Sequence, residues 1–216
     1  MSWRALGMSW RKRTAFLGLL VICQVLAWVA SAGAVLVDKV VAVVNADVLT
    51  LLDFEDHLAL LKVFQPTAED APRELMFERF IDQTLLRQEA LRTRTVEVGE
   101  AEVAQQLHDL DQRPGGAEAL ARVIHARGIS LSHVRRWLRH QLIVREFIDR
   151  RIRLFVRVSD TEVTPYYQQH QSAIGEPLGD AVREQILRIL VEQHMNARVA
   201  QLVEELRRKA NLLFPP

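Results

Sequence analysis

The stretch Val37-Asp38-Lys39-Val40-Val41-Ala42-Val43-Val44-Asn45, followed by Val48-Leu49-Thr50-Leu51-Leu52-Asp53, decides how the rest of the chain is read. A hydrophobic strand, a tight turn, a second short strand and a helix cap follow one another within seventeen residues. From Thr50 onward the sequence reads as helix until Asn211-Leu212-Leu213-Phe214. Two short strands are marginal alone, so the hairpin needs a partner, and the good candidate lies at the far end of the chain. The expected fold class is therefore mainly α, with a small β-sheet formed by the N-terminal strands and the C-terminal strand. Deleting Asn211 to Pro216 is expected to destabilise such a domain markedly.

Ahead of this hairpin, the first thirteen residues carry Arg4, Arg11, Lys12 and Arg13 and no acid, and Thr14 to Val37 is uncharged. Ala30-Ser31-Ala32-Gly33-Ala34 supplies the small residues that a signal peptidase needs. Residues 1–34 are read as an export signal cleaved after Ala32 or Ala34, which places the mature protein in the periplasm. The alternative is an uncleaved inner-membrane anchor with the domain facing the periplasm, because an uncharged stretch of this length is able to span a bilayer. Cleavage removes four of the 28 basic residues and none of the 27 acids, changing the net charge from +1 to −3. It also removes Cys23, the one cysteine, so neither disulfides nor thiol chemistry are expected. The remaining length is sufficient for a core without staples.

The helices follow from capping and periodicity. Thr50-Leu51-Leu52-Asp53 has the form of a capping box, and Leu51, Phe54, Leu58 and Leu61 recur at helical steps up to Phe64. A polar connection, Gln65 to Pro72, leads to a second helix over Arg73 to Arg92 with Phe77, Phe80, Ile81, Leu85 and Leu86 on its buried face. Thr95 to Val98 is extended, and a third helix begins near Gly99. Arg113-Pro114-Gly115-Gly116 breaks the chain. A fourth helix, Ala117 to Arg127, stops at Gly128. Ser130 caps a fifth that reaches about Val156, with Leu131, Val134, Leu138, Leu142, Ile148, Ile152 and Phe155 in one stripe widened by Ile143, Val144 and Phe147, so this helix is expected at the centre. Ser159-Asp160-Thr161-Glu162 opens a short helix through Tyr166 and Tyr167, and the last helix runs from Asp180 to Ala210. One domain over residues 35–216 is the simplest count, its helices at 50–170 completed by the helix at 180–210 and the strand at 211–214.

These pieces, in this order, resemble the N-terminal chaperone domain of the SurA family of periplasmic folding factors, which includes PpiD and PrsA. The matching residues are Val37 to Asn45, Val48-Leu49-Thr50, Phe80 to Ala90, Val98 to Val103, Gly128-Ile129-Ser130, and Val158 to Val163 with Tyr166-Tyr167. Gly99 stands where that family has a serine or threonine cap. The resemblance implies that the long C-terminal helix and the final strand return to complete the N-terminal domain. It also marks a departure: SurA-type isomerases carry parvulin domains between the short helix and the C-terminal one, whereas six residues, Gln171 to Glu176, separate His170 from Pro177 here. The chain resembles the chaperone core of such an enzyme without its isomerase. The function this implies is an exported, ATP-independent holdase for unfolded or extended polypeptides such as outer-membrane protein precursors. The alternatives are an envelope module for one dedicated partner, or a prolyl isomerase by family name only, lacking its catalytic domain.

No catalytic residue, metal site or cofactor is expected. There is no Gly-x-Ser-x-Gly elbow, no phosphate loop or dinucleotide fingerprint, and no His-Glu-x-x-His arrangement. The seven histidines, His57, His108, His125, His133, His140, His170 and His194, read as solvated surface positions, although His133 and His140 share a helix face. The arginines of the fifth helix and its surroundings (Arg127, Arg135, Arg136, Arg139, Arg145, Arg150, Arg151, Arg153, Arg157) are expected to pair in part with acids on the second and third helices such as Glu78, Asp82, Glu89 and Glu102. Their second reading is a weak contact with an anionic membrane surface or with acidic client segments; nucleic acid is not an expected partner. Phe64, Met76, Phe77, Trp137, Tyr166 and Tyr167 are the candidates for lining a client cleft, because Met and aromatic side chains adapt to many sequences. Core packing is the competing fate of each.

Overall fold

A computed structural model of the chain describes residues 38–66 and 71–215. The export signal assigned to residues 1–34 lies outside the described residues. Strand β1 (Val40–Val44) turns through Asn45 and Ala46 into β2 (Asp47–Thr50), the two pairing antiparallel with Val43 opposite Val48 and Val44 opposite Asp47. Asn45 takes the left-handed conformation this turn needs, with φ of 56°, which asparagine tolerates better than most residues. Helix α1 (Leu51–Phe64) begins immediately. The Thr50 hydroxyl accepts from the Asp53 N–H at 3.1 Å, and the Asp53 carboxylate accepts from the Thr50 N–H at 3.2 Å, completing the expected capping box. Two more orphan donors of this helix end find partners upstream: the Leu51 N–H donates to the Lys39 carbonyl and the Leu52 N–H to the Asp38 carboxylate.

Next come α2 (Arg73–Thr93), α3 (Glu100–Gln112), α4 (Gly116–Arg127) and α5 (Leu131–Arg151), a 3-10 turn at Arg153–Phe155, α6 (Asp160–Ile174) and α7 (Asp180–Lys209). The chain ends in β3 (Leu212–Leu213), which lies antiparallel to β1, so the sheet order is β2-β1-β3. The Asn45 N–H donates to the Asn211 carbonyl at 2.8 Å, and the Asn211 N–H donates back to the Asn45 side-chain carbonyl at 2.9 Å. The mainly helical fold with one small sheet closed by the chain's last residues is the expected one, though β3 spans only two of the four residues assigned to it.

Apolar contacts fall into four clusters. The first joins Leu60 and Leu61 of α1 to Val103 and Leu110 of α3, Leu120 of α4, and Val134, Trp137, Leu138 and Leu142 of α5. A second sets Leu86 and Ala90 of α2 and Ile143 and Phe147 of α5 against Val199, Leu202 and Leu206 of α7. In the third, the sheet residues Ala42, Val44 and Leu49 pack on Ile81 and Leu85 of α2. The last belongs to the α6–α7 hairpin alone: Val163, Val182, Ile186 and Leu190. Helix α5 enters the first two clusters from different faces, as its wide stripe predicts.

Several local expectations fail. The fifth helix stops at Arg151, five residues short of Val156, where the chain tightens into a 3-10 turn with the Phe155 N–H on the Ile152 carbonyl. Leu131 and Phe155, placed in its apolar stripe, are exposed. On α1 the buried face is Phe54, His57, Leu60 and Leu61, not the stripe through Leu51 and Leu58, since Leu51 is exposed and Leu58 half-buried. The short helix after Ser159 extends to Ile174, so α6 absorbs most of the segment read as a loop, and five residues, Gly175–Gly179, join it to α7. At the α3–α4 junction, a Cβ on Gly116 would stand 2.1 Å from the Leu110 carbonyl oxygen, a contact that leaves no room for any side chain.

Candidate functional site

Two cavities adjoin along α5, sharing Gln83, Trp137, Gln141 and Val144 in their walls. The first, about 430 Å³, lies under β2 between α1, α2 and α5, and its polar wall presents His133, Arg136 and His140 from α5 and Arg87 from α2. The second, about 680 Å³, opens between the end of α1, α3 and α5, with Phe64, Leu138 and Leu142 among its apolar walls and Met195 contributed by α7. Between the two, the Gln141 amide donates to the Gln83 side-chain carbonyl at 3.2 Å, bridging α5 to α2. The pattern on α5 explains the arrangement: residues 133, 136, 137, 140, 141 and 144 follow the three- and four-residue steps of one helix face.

The floor is held by buried polar pairs. Trp137 donates its indole N–H to His57 Nδ1 at 3.1 Å. The His57 ring lies 4.8 Å from Phe80 between centroids, and Phe64 lies 5.4 Å from Trp137. Burial pushes the His57 imidazole down to about 4, so it is neutral near pH 7 and free to accept that bond. Beside it, Asp56 is only 2% exposed and is bonded by Arg127 at the end of α4, with His133 Nε2 at 3.7 Å. This pairing ties α1 to α4 and α5. His140 is also pushed down to about 4, first by burial and then by the neighbouring guanidiniums of Arg87 and Arg136.

At the cavity's other wall, the Asp47 carboxylate accepts from Arg87 at 2.6 Å and from Gln88 at 2.9 Å. Gln88 also donates to the Val44 carbonyl and accepts from Asn45, so α2 grips the hairpin turn that β3 completes. Arg113, expected only to punctuate a chain break, donates to the Phe64 and Val63 carbonyls and closes the C-terminus of α1 beside the larger cavity. Among the described residues no group of three or more His, Cys, Asp or Glu side chains is placed to hold a metal ion, and no helix is long and apolar enough to cross a membrane.

The chain matches no protein-family model and no curated protein.

Of the six residues expected to line a cleft, Phe64 and Trp137 meet at the larger cavity. Trp137 is largely buried in the first cluster, and Met76 packs half-buried against the same cluster. Phe77 sits edge-on to Phe54 at 5.2 Å and faces a separate shallow hollow with Lys39, Val41 and Pro215. Tyr166 stacks on His170, and the Tyr167 hydroxyl donates to the Glu176 carbonyl, both within the α6–α7 hairpin. The six thus occupy three places.

Two polar expectations are corrected. The histidines are not uniformly solvated: His57 is buried, and His133 and His140 are half-buried in the cavity wall, because each finds a partner or a gap between helices. Of the acids on the second and third helices, the arginines of α5 use Glu100 of α3 rather than the four singled out, while Arg127 pairs with Asp56 of α1 and others pair within α5 or just beyond it. Arg139 bonds Glu100, with Arg135 at 3.9 Å from it, while Arg150 takes Glu146 and Arg153 takes Asp149 one turn back. Glu78 and Asp82 instead hold Arg207 of α7, Glu89 holds Arg92, and Glu102 caps α3 through the Gly99 N–H. The sequence hint for the cavity was the seven-residue spacing of His133 and His140; nothing local marked Gln83 or Met195.

Proposed function

We propose that the chain is an exported, ATP-independent chaperone that holds unfolded or extended polypeptides in the cleft along α5. The observation that carries this reading is the cleft itself: two adjoining cavities of about 430 and 680 Å³, each with apolar side chains beside amide and guanidinium donors. An extended chain presents alternating side chains and unpaired backbone amides. Gln83 and Gln141 at the seam supply donors and acceptors of the kind those amides need, while Phe64, Trp137 and Met195 offer adaptable apolar surface. Such binding needs no chemistry, only shielding of apolar segments from one another.

Two features support the resemblance to the SurA family as the setting of this function. Helix α7 and β3 return to complete the sheet that opens the domain, and Gly175–Gly179 is the whole connection where that family's isomerases insert a catalytic domain. The export reading of residues 1–34 adds a periplasmic location, where outer-membrane precursors are the natural clients. Light scattering tests the proposal: the purified protein should suppress aggregation of an unfolded β-barrel client, and Met195→Trp, which fills the larger cavity, should suppress it less. Unchanged client aggregation would refute the holdase reading. A pull-down returning one stoichiometric partner would favour a dedicated envelope module instead.

A further inference from the structure

The corner between α5 and α6 carries Arg150-Arg151-Ile152-Arg153-Leu154-Phe155-Val156-Arg157, four guanidiniums and no carboxylate in eight residues. Of these residues the cleft uses only Arg153, which lines the larger cavity with its ion-pair partner Asp149. Leu154 and Phe155 sit side by side on the 3-10 turn, 62% and 77% exposed, the most exposed large apolar side chains among the described residues. They are not the loose end of a frayed helix. Ile152 beneath them is buried, and Arg157 donates to the Leu154 carbonyl at 2.9 Å and the Val156 carbonyl at 3.3 Å, so the turn's backbone is tied down while its two apolar side chains protrude.

Charge around the corner is in excess. Arg150 and Arg153 are balanced by Glu146 and Asp149; Arg151 feels Glu89 of α2 only at a distance, without a direct ion pair, and Arg157 has no carboxylate within ion-pair reach among the described residues. Beside Phe155, Arg151 and Arg198 of α7 flank a notch of about 310 Å³ that holds Glu205 as its one carboxylate. A protein partner would have to offer a socket for two projecting apolar side chains and acids for the surplus guanidiniums at once. An anionic bilayer surface meets both needs without a shaped socket, because apolar side chains settle at the headgroup–acyl boundary while cations stay among the phosphates.

We propose that this corner is a docking site for an anionic lipid surface, with Leu154 and Phe155 entering the interface and Arg151, Arg157 and Arg198 meeting headgroup phosphates. The site borders the α5 cleft only at Arg153, and it narrows the broad reading of the α5 arginines to one turn.

The test places an environment-sensitive dye on the cysteine-free mature chain, residues 35–216, at Phe155→Cys, with Leu154→Cys as a second position and the distant, exposed Val48→Cys as control. Vesicles of phosphatidylcholine with phosphatidylglycerol are compared with phosphatidylcholine alone. On anionic vesicles the dye at 155 or 154 should shift to the blue and be quenched by nitroxides on the acyl chains, while the dye at 48 should not. Arg151→Gln with Arg157→Gln should weaken the transition roughly thirtyfold at low salt, taking about 1 kcal/mol per arginine near such a surface. High salt should weaken it in the parent chain as well. A dye at both 155 and 154 that remains water-exposed on anionic vesicles overturns the proposal. So does equal insertion into neutral vesicles, or burial of the dye by protein self-association without lipid.

Discussion

Truncation after Ala210 removes β3 and tests whether the sheet is a structural closure or a decoration. The shortened chain loses the bond from the Asn45 N–H to the Asn211 carbonyl and its reciprocal from Asn211 to the Asn45 side chain, together with the pairing of Leu212 and Leu213 with Val44 and Val43. Each of the two asparagine bonds is worth about 1 kcal/mol net. Half-burial of Leu212 against the sheet cluster adds about 1 kcal/mol. Freeing a short tail from its ordered conformation offsets part of this, which leaves a net loss of about 2–3 kcal/mol. For a domain of this size each kcal/mol moves the melting temperature by about 2–4 °C, so thermal unfolding followed by circular dichroism should fall by roughly 5–10 °C. Val44, fully buried in the intact chain, would also lose its cover on one side. A melting temperature within about 2 °C of the parent, below the shift of about 4–8 °C expected for 2 kcal/mol, would show that β3 closes nothing.

Three further outcomes are expected. Gly116→Ala should destabilise by about 1–3 kcal/mol, because its Cβ would meet the Leu110 carbonyl oxygen at 2.1 Å and the α3–α4 junction must shift; an unchanged urea midpoint would contradict that clash. Asp56→Ala should cost about 2–4 kcal/mol by leaving Arg127 without its buried carboxylate, and Asp56→Asn less, as read from the same denaturation curves. Stability should also fall with acid. His57 and His140 are neutral in the folded chain down to about pH 4, whereas the unfolded chain takes up protons from about 6.5. Stability is therefore full above about pH 6.5 and drains between there and about 4. His140→Gln should lose less over that range than the parent; equal losses would remove His140 from the explanation.

What the sequence made legible was local. The boxes at Thr50/Asp53 and Ser159/Glu162, the Ser130 cap and the Gly128 stop are each written within four residues, and each appears as expected. The return of β3 to β1 was legible by elimination, since a two-stranded hairpin left one partner to find. The buried polar floor was not. Asp56 and His57 carry no local sign that Arg127 and Trp137, 71 and 80 residues on, will pay for their desolvation. Charge counting also misassigned partners: it knew which arginines lay near α5 but not that α7 would bring Arg207 onto Glu78 and Asp82. The cleft was half legible. Phe64 and Trp137 were singled out for their chemistry, whereas Gln83, Gln141 and Met195 join them only because five helices leave space at one place.

The most direct measurement is site-specific photo-crosslinking with an unfolded β-barrel client. A photoreactive residue at Gln141 or Arg145, in the cleft walls, should capture the client in extended form, and one at Glu118, exposed on α4, should not. Capture at Glu118 as strong as at Gln141 and Arg145, or no capture at the cleft positions while aggregation is still suppressed, would contradict client binding along α5.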